Sequence, residues 1–309
     1  MTSLIAVSSH LPATVSLDDL RAPLGLNDLQ VKRFGRLYGL ERICKSYDES
    51  EVDLLLAAAG KLEGLAGQED KVRYVVRAKG LRTTAPYPAN PLQEVRRALG
   101  LTNATTFAVA DHGCATGLLA VDVCATLLAA DGDPDAMALI LAGDKTFTPF
   151  CQWVADTSIM GEGMAAILIG AGGDRDRMLG YASRIHGRDD GLIDLTPEVA
   201  KHARRIYQDA LAEVVRGALD MAGITMADLD LVLPHNVNRV SWTVAADNLG
   251  LPKDRIFLDN LAATGHCFCA DPFINYQTVS ELGLLKPGDR YLMTSAGLGQ
   301  TFAAMVFQH

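Results

Sequence analysis

The segment Asp111–Leu128, DHGCATGLLAVDVCATLL, sets Cys114 between small residues, after a β-rich run and ahead of an apolar helix. A thiol at a helix N-terminus meets the positive end of the aligned peptide dipoles, which favours the thiolate and makes the sulfur nucleophilic. An unperturbed cysteine ionises near about 8.5, so a helix end alone leaves most of it protonated at neutral pH, and an imidazole within hydrogen-bond reach must supply the rest. Three of the seven histidines are placed for that: His112, two residues ahead of the thiol; His235, directly after the strand LDLVLP; and His266, in the small-residue insert ATGHC. His235 and His266 are the candidates for catalysis. His112 reads as structural, because strand alternation does not fix its direction relative to Cys114.

Asn236 and Asn238 read as helix-capping residues. Near the C-terminus, SAGLGQT places Gly297 and Gly299 around Leu298, a turn whose backbone N–H groups are free to face a developing oxyanion. HCFC, residues 266–269, offers soft ligands, but a closed zinc site needs four and no second pair stands elsewhere, so no metal is expected.

The elements that must position these residues follow from periodicity. Strands are predicted near Leu4–Val7, over Val72–Val76, TTFAVA, AMALILAG, MAAILIGAG, LDLVLP, RIFLD, RYLMTS and TFAAMVF. Helices are predicted over Val52–Leu65, LQEVRRALG, the run after Cys114 ending at Gly132, about Glu198–Ala222 ending at Gly223, RVSWTVAADNLG and PFINYQTVSELG. Alternation of the two implies an α/β protein with mainly parallel central pairing. Each half repeats a strand, a polar turn with a reactive side chain, and a long helix. Between Ala115 and Ala130 only Thr116, Gly117, Asp122 and Thr126 interrupt the apolar residues, so that helix is expected between two sheets.

A chain of 309 residues, 49% hydrophobic, can bury a large core, and acidic residues exceed basic ones by nine, which argues against nucleic acid as a partner. The N-terminus shows no signal-like leader, no segment is read as approaching a membrane span, and six unpatterned cysteines read as reduced thiols, so a cytoplasmic location is expected.

Taken together, GLERI at Gly39–Ile43, HGCATGLLAVDVC, MGEGMAAILIG, LVLPHNVNR, TGHC and LKPGDRYLMTSAGLGQTF resemble, over nearly the whole chain, the thiolase superfamily and within it the ketoacyl synthase III branch of condensing enzymes. The resemblance implies a duplicated, five-layered αβαβα fold with a nucleophile-bearing half (residues 1–175) and a histidine-bearing half (residues 176–309). It also implies a homodimer with no bound cofactor, taking an acyl-CoA or acyl-carrier-protein thioester as substrate in fatty acid, polyketide or other secondary biosynthesis. Cys114 resembles the acyl-accepting nucleophile and His235 the first catalytic histidine. His266 falls where this branch usually has asparagine, which makes a Cys-His-His set similar to that of the elongating ketoacyl synthases. The backbone N–H groups of Cys114 and Leu298 would form the oxyanion hole.

On that reading two neutral imidazoles donate to a malonyl thioester carbonyl as carbon dioxide leaves. Imidazole can also accept a proton, as asparagine cannot, and the alternative is therefore acyl transfer to oxygen or nitrogen without decarboxylation. A non-catalytic partner subunit is the third possibility. The segment LQVKRFGRLYG lacks the tryptophan that the family stacks on adenine, Trp153 and Trp242 lying elsewhere, and the stretch from Gly187 to Ala200 is compact, which implies an open acyl channel. An acidic carrier protein needs a basic patch, for which Lys32, Arg33, Arg36 and Lys201, Arg204, Arg205 are the candidates.

Overall fold

A computed structural model describes residues 2–81, 88–154, 157–187 and 196–309. Most of the compact stretch between Gly187 and Ala200 lies outside them. The principal strands are β1 (Thr2–His10), β2 (Val72–Ala78), β3 (Thr105–Val109), β4 (Met137–Ala142), β5 (Met164–Ala171), β6 (Arg177–Ile185), β7 (Leu231–Pro234), β8 (Arg290–Gly297) and β9 (Thr301–Gln308). They form one sheet in the order β7-β8-β9-β6-β1-β5-β4-β2-β3.

The first five strands run 3-2-4-5-1 from the β3 edge inward. The last four run 2-4-5-1 from the β7 edge inward, and the place of a third strand is taken by a single parallel bridge from Ile256 to Val232. The two halves therefore share one strand order. RIFLD, expected as a strand, is reduced to that bridge. The halves meet where β1 pairs with β6 at Ser3 and Arg177.

The expectation of mainly parallel central pairing is wrong. Only β2–β3, β2–β4 and β7–β8 are parallel, and the five junctions from β4 to β8 through the middle are antiparallel. Continuous apolar runs such as MALILA mark a strand covered on both faces. Helices cover both faces here whatever the strand direction, so the runs say nothing about polarity.

The helices supply the layers. On the outer face of the first half, α1 (Glu51–Ala59) packs on β1 and β5, and α2 (Pro91–Ala98) on β2 and β3. On the outer face of the second, α4 (Pro197–Ala222) packs on β6 and β9, and on α5 (Arg239–Leu249). Between the halves lie α3 (Thr116–Asp131), against β2, β4 and β5 on one side and β8 and β9 on the other, and α6 (Asp271–Glu281), against β1, β5, β7 and β8. This is five-layered α/β architecture.

Leu118, Val121, Cys124 and Leu128 of α3 are sealed in the shared core, each large aliphatic side chain contributing about 1.5–3 kcal/mol by leaving water. With the turn that precedes it, the helix spans Gly113–Asp131, 19 residues with a mean hydropathy of 1.8 over an 18-residue window, long and apolar enough to cross a membrane, contrary to the expectation that no segment approaches that length. Leu118, Val121, Cys124 and Leu128 face protein, while Leu119, Val123 and Leu127 are only half-buried.

A buried carboxylate holds the join. Asp176, between β5 and β6, accepts hydrogen bonds from Tyr276 Oη (2.7 Å), Tyr291 Oη (2.8 Å) and His309 Nδ1 (2.8 Å), while its backbone carbonyl accepts from Leu4 N (3.0 Å). Removing the carboxylate strands three buried donors, so Asp176→Ala should lower the unfolding free energy in urea by about 3 kcal/mol or more. Measured stability within about 0.5 kcal/mol of wild type, the range of an ordinary surface substitution, would contradict this role.

Candidate active site

Cys114 sits not on the helix but in a single 3₁₀ turn, Gly113–Ala115, that leads into α3. No side chain caps α3; Thr116 turns its hydroxyl back to Gly113 O (2.8 Å). The dipole end is thus left facing the nucleophile turn. Gly113 has φ +51°, and a methyl group built on it would lie 2.8 Å from Leu298 N; one built on Gly297 would lie 2.8 Å from Cys114 N. Only glycine permits both approaches. They bring the amides of Cys114 and Leu298 to one patch, where Ser295 Oγ also donates to Cys114 O (2.7 Å). Gly299, at φ +84°, completes the β8–β9 turn.

His266 is pinned through its backbone, its N–H donating to Ile159 O (3.0 Å) and its carbonyl accepting from Gly161 N (2.9 Å). Its ring meets Cys114 Sγ through Nε2 (3.1 Å) and Asp271 Oδ2 through Nδ1 (2.5 Å). Asp271, in the first turn of α6, is fully buried and also accepts from Cys267 N (2.8 Å) and Asn236 N (2.5 Å). Burial opposes a charge on the His266 ring, but the adjoining sulfur and the Asp271 carboxylate outweigh it and raise the ring to about 10. A charged ring against the sulfur is the environment of a reactive cysteine.

His235 directly follows β7, 5.6 Å from His266 between ring centroids. Trp242 Nε1 donates to its carbonyl (2.8 Å) and Tyr207 Oη lies 3.1 Å from its Nε2. Burial, and next the charge of His266, push it well below the ordinary histidine range, so it is neutral. In the resting enzyme one ring is therefore charged and the other is not; the expectation of two neutral imidazoles concerns the acylated enzyme, in which the Cys114 charge is gone.

Asn238 does cap α5, accepting from Ser241 N (2.7 Å), whereas Asn236 caps nothing. Its amide pairs with that of Asn275 (3.0 and 3.3 Å), and Asn275 Nδ2 holds Pro234 O (2.8 Å). His112 lies outside the cluster, half-buried, and burial lowers its ring. Among the described residues no group of three or more His, Cys, Asp or Glu is arranged to hold a metal, and Cys269 Sγ points to Ala78 O (3.4 Å). Leu81, Met160 and Phe268 pack with Cys114 into an apolar cluster. Phe268 adopts φ +52°, a conformation costly for a bulky side chain.

Residues 219–309 match the family described as 3-oxoacyl-[acyl-carrier-protein (ACP)] synthase III C terminal. The beta-ketoacyl-[acyl-carrier-protein] synthase III of Rhizorhabdus wittichii is 29% identical over 252 residues, 74% of this chain and 76% of that one. That of Erythrobacter litoralis is 28% identical over 291 residues, 87% of each. Over residues 219–309 the chain is similar to that family, and over most of its length it is similar to these synthases. Its fold is shared with the acyltransferase ChlB3 (TM-score 0.87, 22% identity, 99% of this chain and 97% of that one). It is also shared with the 3-oxoacyl-(acyl carrier protein) synthase III of Pseudomonas aeruginosa PAO1 (TM-score 0.82, 24% identity, 99% and 98%).

The two basic clusters differ. Lys32 and Arg36, with Arg239, line a groove of about 550 Å³ that also carries Asp18 and Glu41, while Arg33 is not part of its wall. Lys201, Arg204 and Arg205 are exposed on the first turns of α4, Arg205 meeting His202 at 3.0 Å.

A ring held at about 10, against 6.5 when unfolded, binds its proton more tightly in the native state, so its contribution to stability is complete below 6.5 and is lost as pH climbs toward 10. Urea titrations should show wild-type stability falling across that window more steeply than His266→Gln. Parallel profiles would contradict the charged ring.

Proposed function

We propose that the enzyme loads an acyl group onto Cys114 from an acyl-CoA or acyl-carrier-protein thioester and passes it to a malonyl-type carbanion. The observation that carries this reading is the Cys114 Sγ–His266 Nε2 contact of 3.1 Å, with Asp271 behind the ring. With its proton already held on His266, the Cys114 sulfur attacks the thioester carbonyl, and the oxyanion is held by the N–H groups of Cys114 and Leu298. One such donor is worth on the order of 3 kcal/mol. Collapse expels the donor thiolate, which takes the proton back from His266. The malonyl thioester then loses carbon dioxide, its enolate carbon attacks the acyl carbonyl, and the carbon–sulfur bond breaks with its electron pair returning to Cys114.

A second reading rests on the same contact. A His266 ring oriented by Asp271 is built to take and return protons, as a base for an alcohol or amine acceptor would need. The acyl group would then pass to oxygen or nitrogen with no carbon dioxide lost.

Supply of the thioester by a carrier protein fits the groove at Lys32 and Arg36, with Arg33 beside them in sequence, and the exposed Lys201, Arg204 and Arg205, in a cytoplasmic, secondary-metabolic setting. A homodimer is supported by β3, which forms one edge of the sheet. Within each chain the nucleophile-bearing half runs over 1–175 and the histidine-bearing half over 176–309, and no bound cofactor takes part.

Mixing the protein with labelled acetyl-CoA and malonyl-CoA should add an acetyl mass to the Cys114 peptide and release labelled carbon dioxide. Acetylation without release, and consumption of the adduct by an added alcohol or amine, favours the second reading. No adduct from any donor rejects both.

A further inference from the structure

Phe268 follows His266 by two positions and opens the 3₁₀ turn Phe268–Ala270 that leads into α6. Its φ of +52° is a conformation that a bulky side chain keeps only where its surroundings impose it. Both flanks are tied down. Before it, Cys267 N donates to Asp271 Oδ1 (2.8 Å) and Cys267 O accepts from Ala270 N (3.0 Å); after it, Cys269 Sγ is held at Ala78 O (3.4 Å).

This backbone aims the ring at the nucleophile. Phe268 stacks on the His266 ring (6.5 Å between centroids, 27° between planes) and packs with Leu81, Met160 and Cys114 into one cluster, each at most 8% exposed, with Cys151 and Val154 against it. A methyl group built on Gly80 would lie 3.2 Å from Phe268 Cδ1, closer than an ordinary contact, so Gly80 makes room for the ring from behind. Proton transfer between Cys114 and His266 needs neither the ring nor the strain. An acyl group on Cys114 sets its carbonyl toward the amides of Cys114 and Leu298, and its hydrocarbon tail is drawn to the apolar side of the sulfur, where this cluster fills the space.

We propose that Phe268 sets the length limit of the acyl group: its ring closes the apolar side of Cys114, so that short acyl groups such as acetyl are taken and medium-length chains are refused. The inference rests on acyl loading of Cys114, the step that both readings of the function share. A tail that meets a filled apolar wall is refused by about tenfold or more for each methylene beyond the fit.

Acylation of Cys114 by acetyl-CoA and by octanoyl-CoA, each followed by intact mass, reads the limit as a ratio of rates, in which a change in the reactivity of the sulfur or of His266 cancels. Wild type should take acetyl about 10²-fold faster or more. Phe268→Gly deletes the ring and suits φ +52°, and should raise the octanoyl-to-acetyl ratio by about tenfold or more; Phe268→Leu, which keeps part of the bulk, should raise it less. Should the glycine variant fail to fold, the leucine variant alone reads the same shift. A ratio within twofold of wild type in the folded variants, or a wild type that takes octanoyl as fast as acetyl, overturns the inference and leaves acyl loading standing. A wild type acylated by neither thioester rejects acyl loading, and the inference with it.

Discussion

Gly113 and Gly297 lie so close that neither has room for a methyl group, and the position of the sulfur follows from that contact. The nucleophile turn belongs to the first half of the chain and β8 to the second. With α3 packed between strands of both halves, the turn that starts it is pressed onto the end of β8, and Ser295 ties the two together. A side chain at either glycine would part the amides of Cys114 and Leu298 and move the sulfur off the His266 ring.

The same packing decides which histidine is charged. Two imidazolium rings 5.6 Å apart and out of water repel too strongly to coexist, so one must be neutral. Asp271 breaks the tie. Its carboxylate touches His266 and reaches the second half's turn through Asn236 N, while His235 is offered a tyrosine, a tryptophan edge and no anion. An asparagine at the His266 position would have no charge to assign, so the histidine makes the site depend on Asp271.

Cys114, His235 and His266 stand out in the sequence because each is a polar or reactive side chain at the end of an apolar run, and folding brings all three together. Asp271 does not stand out, since an acidic residue in the first turn of a helix is what the helix dipole alone would favour. Tyr207 is hidden in the same way: on an amphipathic helix an aromatic residue among polar ones reads as part of the packed face. Helix ends were legible through their glycines, Gly132 and Gly223 both adopting the left-handed conformation. Strand direction was not, because Ile140 or Ile167 meets the same apolar layers in either sense. RIFLD carries a strand's composition yet keeps one bridge, as neighbouring strands, not propensity, determine edge pairing.

The account stands on a charged His266 bridging sulfur and carboxylate. Nitrogen-15 NMR of histidine-labelled protein at pH 8 measures this directly. It should show one ring with both nitrogens protonated and a strongly downfield Nδ1 proton that is lost in Asp271→Asn. A spectrum in which every histidine ring is neutral at that pH would contradict it.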